Sequence, residues 1–287
     1  MRLGIADIPQ PAFAGVTWLP IRQWSKRREW DDFTTTMDYP VIVFAVSLVA
    51  LWLSAQAGAH FHRRRQNVEE IEREDLGVIL AATLTLLGLI IGFSFSMAVN
   101  RYDQRKDYEE AEANAIGTEY VRAGLLPATD ASQLRKLLTK YVSQRVLFYT
   151  TRSERQLDQI NTSTAQLQSE LWAVIQARAA AQPTPIVALT ASGMNDVLNS
   201  QGYTQAAWWN RIPIAAWGLM GAIAICSNLL LGYTSRRCNG KTTRFFILPV
   251  LVAVSFFLIA DLDSPRGGVI RVSPQNLTSL SLELRAP

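Results

Sequence analysis

Four stretches of this chain, Pro40–Ala59, Gly77–Val99, Ile212–Tyr233 and Phe245–Ala260, contain no charged residue. Nothing else in the sequence constrains the fold as strongly. About 20 apolar residues suffice for a helix to cross the hydrocarbon of a bilayer, and in lipid a helix is the element that satisfies its own backbone hydrogen bonds. The first three stretches reach that length. The fourth has sixteen residues, but Thr242, Thr243 and Leu262 extend it, and bilayer thinning absorbs a modest mismatch. With 49% hydrophobic residues the overall composition is that of an ordinary soluble protein. The clumping decides the class: an all-α membrane protein with four transmembrane helices and a helical bundle inserted between the second and third.

The chain divides accordingly into an N-terminal segment 1–39, transmembrane helices 1 and 2 in 40–99, a helical extramembrane domain 100–210, transmembrane helices 3 and 4 in 211–262, and a C-terminal segment 263–287. Met1 to Asp38 carries Pro9, Pro11, Pro20 and scattered charges where a signal peptide would have an apolar core, so no signal peptide is expected. The spans themselves place the protein in the cell membrane as a multi-pass protein. An even number of spans puts both termini and the helical domain on one side, leaving the loops His60–Leu76 and Thr234–Arg244 on the other.

Charge excludes several functions. The chain has 28 basic and 24 acidic residues, and within 101–210 there are eleven of each. No basic face suited to phosphate is evident, so nucleic acid is not an expected partner. Cys226 and Cys238 make no disulfide framework. His60 and His62 stand beside Arg63, Arg64 and Arg65, whose charges oppose a metal, so neither a metal nor a cofactor is expected. Glu69, Glu70, Glu72, Glu74 and Asp75 read as a solvated acidic face. No nucleophile elbow, phosphate loop or zinc-protease helix occurs, and no enzyme is expected.

The second span does not visibly stop at the membrane. Asn100 to Ala123 lacks proline and is rich in helix formers, so one helix is expected from Leu76 to Ala123. At 1.5 Å per residue it would be about 70 Å long and project about 40 Å beyond the hydrocarbon, until Gly124 and Pro127 break it. Asp130 and Gln133 look like a capping pair. They precede a helix in which Leu134, Leu137, Leu138, Tyr141, Val142 and Phe148 recur at three and four. Leu157, Ile160, Leu167, Leu171, Val174 and Ile175 mark another helix, ending before Pro183. A further helix is expected over Ile186–Asn199. Leu277, Leu280 and Leu284 mark a short C-terminal helix docking on the bundle.

Two sets of residues are candidates for function. On the second span Ala81, Thr85, Gly88, Gly92 and Ser96 form one stripe of small residues, with Leu89 and Phe93 beside it. Such a stripe is a packing seam between helices, or it faces a pore around an oligomer axis, where bulky apolar neighbours gate by dewetting. The second set lies at the helix ends on the domain side: Arg101, Asp103, Arg105, Arg211, Asp261, Asp263, Arg266 and Arg271. These charges either neutralise one another in a structural neck or form a vestibule in which arginine rings favour anions.

Leu86–Pro127, reading LLGLIIGFSFSMAVNRYDQRKDYEEAEANAIGTEYVRAGLLP, and Ile259–Ser273, reading IADLDSPRGGVIRVS, resemble the bacterial bestrophin-like membrane proteins, as do Arg211, Ile212 and Pro213. The resemblance covers roughly Pro40 to Leu284. It implies the bestrophin order of two spans, a helical domain and two spans. It also implies a homo-oligomer, a pentamer in bestrophins, that passes inorganic anions such as chloride along the second span, with the helical domain and both termini in the cytoplasm. No cluster of acids beyond Asp261 and Asp263 follows the last span, so calcium gating is not carried over.

The positive-inside rule, applied to Arg63, Arg64, Arg65, Arg73, Arg236, Arg237, Lys241 and Arg244, would instead place the two short loops in the cytoplasm. Since the domain side carries a similar number of cations, the orientation implied by the resemblance is adopted. Two functions follow for testing: an oligomeric anion channel, or a non-conducting scaffold or sensor whose helical domain binds a partner. In the second, the small-residue stripe is buried between helices of one subunit.

Overall fold

The computed structural model describes residues 39–64, 70–234 and 244–285, with the side chains of 62–64, 70–74 and 244–245 excepted. The N-terminal segment, the charged clusters around Arg63 and Glu69, and Arg236, Arg237, Cys238, Lys241 and Arg244 therefore lie outside the described side chains. The described residues form α1 (Pro40–Arg64), α2 (Glu70–Ala123), α3 (Ala128–Thr150), α4 (Glu154–Ala181), α5 (Pro185–Trp209), α6 (Ile214–Thr234), α7 (Arg244–Asp263) and α8 (Gln275–Glu283). Among the described residues four segments are long and apolar enough to cross a membrane: Pro40–Phe61, Asp75–Ala123, Pro185–Thr234 and Phe246–Asp263. The third of these runs over both α5 and α6, which are separated by Asn210 to Pro213.

The through-going helix is the largest single element. α2 has 54 residues, about 80 Å at 1.5 Å per residue, and starts earlier than Leu76 because the acidic residues before it are compatible with a helical first turn. Its N-terminal half packs on α6 and α7, which also hold α1, and the four share a core of Leu51, Leu87, Met220, Ala224, Phe256 and Ile259. Its C-terminal half packs on α3, α5 and α8, α4 packs on α3 and α5, and together they enclose Ile116, Leu134, Leu138, Leu171, Met194 and Leu277. One helix thus belongs to both cores.

Lipid tails are as apolar as leucine, so close packing rather than the hydrophobic effect holds membrane helices together. The close seam is between α1 and α6, not on the α2 stripe. A Cβ on Gly58 would collide with the backbone of Leu229 and Tyr233, and one on Gly232 with that of Ala55 and Ala59. Ser54 Oγ adds a hydrogen bond across this seam to the carbonyl of Ile225 at 2.7 Å.

In the bundle the expected faces of α3 and α4 are the buried ones. Leu134, Leu137, Leu138, Tyr141, Val142 and Phe148 are buried, as are Ile160, Leu171, Val174 and Ile175. Two expectations need correcting. Helix α3 begins at Ala128 with Pro127 as its N-cap and no side-chain cap bond. Asp130 is inside the first turn, 3.7 Å from Arg178 Nε on α4, and does not cap. Helix α5 runs on to Trp209 rather than stopping near Asn199, because no proline intervenes before Pro213. Thr184 caps its start, accepting from Val187 N–H at 3.3 Å.

Candidate pore face and charged neck

Helix α2 has two faces with opposite fates. At about 100° per residue, Leu87, Ser94 and Ala98 fall on one side and are buried against α6 and α7. Ala81, Thr85, Gly88, Leu89, Gly92, Phe93 and Ser96 fall on the other side, and all are exposed. Among the described residues nothing lies within 4 Å of a Cβ placed at Gly88 or Gly92. Phe93 is 63% and Leu89 55% exposed. Thr85 Oγ1 donates to the carbonyl of Ala81 at 2.9 Å and so is satisfied within its own helix. Among the described residues the stripe is therefore not a seam between helices.

The same line continues past the apolar segment. Asp103 lies seven residues after Ser96, and Lys106, Asp107 and Glu110 follow three and four residues on; all are exposed. Asn100, Arg101, Asp103, Gln104 and Asp107 share a surface hollow of about 470 Å³ with Met97. In line with the stripe there are thus three carboxylates and one ammonium, with amides between them, and the guanidinium of Arg101 borders the same hollow.

Arg105 turns the other way. It is 3% exposed, and its Nη2 donates to the carbonyl of Leu262 at 2.6 Å. Its Nη1 reaches the carbonyl of Asp263 at 3.5 Å, and its Nε donates to the carbonyl of Arg101 at 3.1 Å. Arg101 Nη1 is 3.8 Å from Asp263 Oδ1. Both oxygens of Asp263 accept from the Ile212 N–H, at 3.1 and 3.2 Å, which places a carboxylate at the N-terminal end of α6, where the helix dipole favours it. Arg211 is among the charges acting on Asp263. Three arginines and one aspartate therefore tie α2, α6 and α7 together.

The other members of the expected neck do different work. Asp261 accepts from Val269 N–H at 2.6 Å and Ile270 N–H at 2.8 Å, folding the chain back on the end of α7. Gly268 permits that approach, since a Cβ there would crowd the carbonyl and carboxylate of Asp261. Arg266 Nη1 donates to the carbonyls of Phe148 and Thr151, both at 2.8 Å, at the C-terminal end of α3. Its guanidinium lies 4.3 Å from the Trp208 ring centroid and 4.7 Å from that of Phe148. Asp103 and Arg271 are exposed and stand outside the network, Asp103 because it is on the opposite face of α2 and Arg271 because it follows the turn.

Three buried carboxylates went unrecognised from sequence. Arg105, Glu109, Glu112, Ile116, Glu119 and Ala123 recur at four, three, four, three and four, a heptad-like signal of one inward stripe, and all are buried. Glu109 accepts from Leu277 N–H at 2.9 Å and Asn276 Nδ2 at 2.8 Å, capping α8. Glu112 accepts from Arg145 Nε, from Arg145 Nη2 at 3.3 Å and from Thr204 Oγ1 at 3.1 Å, while Tyr149 Oη approaches it at 3.5 Å. Burial is the largest influence and disfavours the Arg145 charge, but Glu112, Tyr141 and Tyr149 together outweigh it and hold the guanidinium pKa above its usual range. Burial first, and then Glu112, push the Tyr149 phenol up. Among the described residues no three His, Cys, Asp or Glu side chains converge on a point where a metal could sit.

A family model described as the bestrophin-like domain matches residues 41–277. Among solved structures the chain is similar to a bacterial bestrophin homologue from Klebsiella pneumoniae. Its zinc-phased crystal structure has a TM-score of 0.57 at 12% identity, over 85% of this chain and 96% of that one. Two mutants of that homologue have TM-scores of 0.58. One matches at 13% identity over 84% of this chain and 95% of its own. The other matches at 11% identity over 85% and 97%. At such identities the likeness is one of fold. No curated protein matches the sequence.

Proposed function

Because the chain belongs to the bestrophin-like family, a family of membrane channels, we propose that it is an oligomeric ion channel in the cell membrane. In this reading each subunit turns the Ala81, Thr85, Gly88, Gly92, Ser96 face of α2 toward the axis, and the helical domain and termini lie in the cytoplasm. The observation that carries it is the exposed state of that face, which no other helix among the described residues covers. Small residues leave room for water, Leu89 and Phe93 supply a constriction, and hydrophobic constrictions gate by dewetting.

The arrangement of charge supports a cation preference in this reading. Anion selectivity was expected from Arg101 and Arg105, but Arg105 is engaged with α7 and Arg101 faces Asp263. The charges in line with the stripe are Asp103, Asp107 and Glu110 against Lys106. Repeated around an axis they make net-negative rings, which favour cations at the inner mouth. The test is the reversal potential of the purified protein in liposomes under a potassium chloride gradient. A potential near the potassium value, moved toward the chloride value by Asp103→Arg with Asp107→Arg, is the expected result. A chloride-selective wild type overturns the cation assignment, and an electrically silent preparation overturns the channel.

A further inference from the structure

Glu119 is used by nothing described so far. It lies on the inward stripe of α2, about twenty residues past the last apolar residue of the span, inside the helical bundle. It is 0% exposed, and neither carboxyl oxygen has a hydrogen-bond partner among the described residues. A buried carboxylate without donors is among the costliest groups a protein can hold.

What faces it is the backbone of α5. A Cβ on Gly193 would overlap Glu119 Oε2 and Arg122 Nη1, so the carboxyl rests on the one residue type small enough to admit it. Glu112, one heptad earlier on the same stripe, has Arg145 and Thr204 donating to it. Glu119 has no such pair. Arg122 on its own helix and Asp196 on α5 are the charges that act on it. Arg135, brought by α3, is occupied with Tyr120, donating from Nε to its carbonyl at 3.2 Å and lying over its ring.

We propose that the contact between Glu119 and Gly193 is a proton-linked latch joining α2 to α5, closed while the carboxyl carries its proton and releasing that proton to water when the helices part. No group donates a hydrogen bond to the carboxyl, and although the Arg122 guanidinium stands at the same glycine, burial outweighs it and favours the neutral acid. Burial, with Asp196 adding to it and Arg122 opposing it, pushes the carboxyl up to about 8, so the latch is poised near ambient pH. The sign follows from linkage: the folded value lies above that of an exposed carboxyl. The closed contact is therefore strongest in acid, weakens as pH rises toward the folded value, and weakens no further once the closed form is itself ionised. α2 carries the proposed pore face at its other end, and α5 leads through Asn210 to Pro213 into α6. That coupling to conduction rests on α2 lining the pore; the latch itself does not.

The experiment is hydrogen exchange of the full-length protein in nanodiscs from pH 5.5 to 9.5, corrected for intrinsic exchange rates. In wild type the opening constant for amides of 112–123 and 185–209 should rise up to about tenfold per pH unit and level off near the folded value. In Glu119→Gln it should be flat. Asp196→Asn should move the break to lower pH, and Arg122→Gln to higher pH; both side chains reach the surface, so these variants keep the test decisive if Glu119→Gln fails to fold. An equal slope in wild type and Glu119→Gln, or an unmoved break in both other variants, overturns the latch. Ion flux measured over the same pH range separates the two claims: flux that ignores pH while the exchange break persists overturns the coupling to conduction and leaves the latch standing.

Discussion

Arg105 donates to the carbonyl oxygen of Leu262 at 2.6 Å, a contact across 157 residues of chain. It joins the through-going helix to the last turn of α7 at the level where the apolar segments end. An arginine at that depth is tolerated because its donors are taken up by helix-end carbonyls that have no partner of their own.

Replacing Arg105 by Glu should therefore unfold rather than retune. Hydrogen bonds from charged groups are worth roughly 1.5–3 kcal/mol each, and the variant would set a buried acid beside Asp263. A fall in melting temperature with loss of the oligomer peak in size-exclusion chromatography is expected. Asp103→Asn, on the exposed face, should leave the melting temperature unchanged and alter only ion preference.

The glycines of the spans separate in the same way. Gly58→Val and Gly232→Val drive side chains into the opposing backbone and should each cost several kcal/mol, within the range of severe core overpacking. Gly88→Ala and Gly92→Ala meet nothing among the described residues and replace a poor helix former, so thermal stability of the fold should be retained or rise by about 0.5–1 kcal/mol. Flux is the assay that the second pair should change, by narrowing the axial face.

Breaking the ion pair inside the bundle should be costly. Glu112→Gln leaves the fully buried Arg145 without its counter-charge and Arg145→Met leaves the carboxylate, so each should lose about 3–5 kcal/mol. The double variant should recover part of that loss, because both charges are then gone from the interior. Denaturation monitored by tryptophan fluorescence measures this, since Trp208 packs against Phe148 and Tyr149 at 5.0 and 5.3 Å.

Glu109 is the anchor of α8. Glu109→Ala removes the acceptor for both Leu277 N–H and Asn276 and should cost about 1–2 kcal/mol of docking, as lost N-caps do. Limited proteolysis should then cut between Ser273 and Leu284 well before the bundle is cleaved. Equal cleavage rates in wild type and variant would show that Leu277 alone holds the helix.

Much of the fold is legible in the order of residues. The charge-free runs, Gly124 and Pro127 after α2, and the threes and fours of Leu134 to Phe148 mark local properties that a helix expresses wherever it is placed. The end of α5 was harder to place because Ser200 and Thr204 stand at buried positions, and a hydroxyl there hides the apolar period. Thr204 is buried because Glu112, 92 residues away, needs its proton.

The site divides along the same line. That Ala81 to Ser96 share a stripe, and that charges gather at the helix ends, follows from 3.6 residues per turn and from the cost of charge in lipid. Which way that stripe points does not follow, because a row of small residues serves a seam and an open face equally well. The close seam arose instead at Gly58 and Gly232, where two backbones meet. Arginine and aspartate at the neck were likewise visible as residues, but their partition was not: Arg105 turns inward to carbonyls made free by the end of α7, and Asp103, two residues earlier, turns outward. Periodicity and hydropathy are properties of one helix and are written in its sequence, whereas the partner of a charge depends on which other helix ends arrive at the same level, and only the packed tertiary structure decides that.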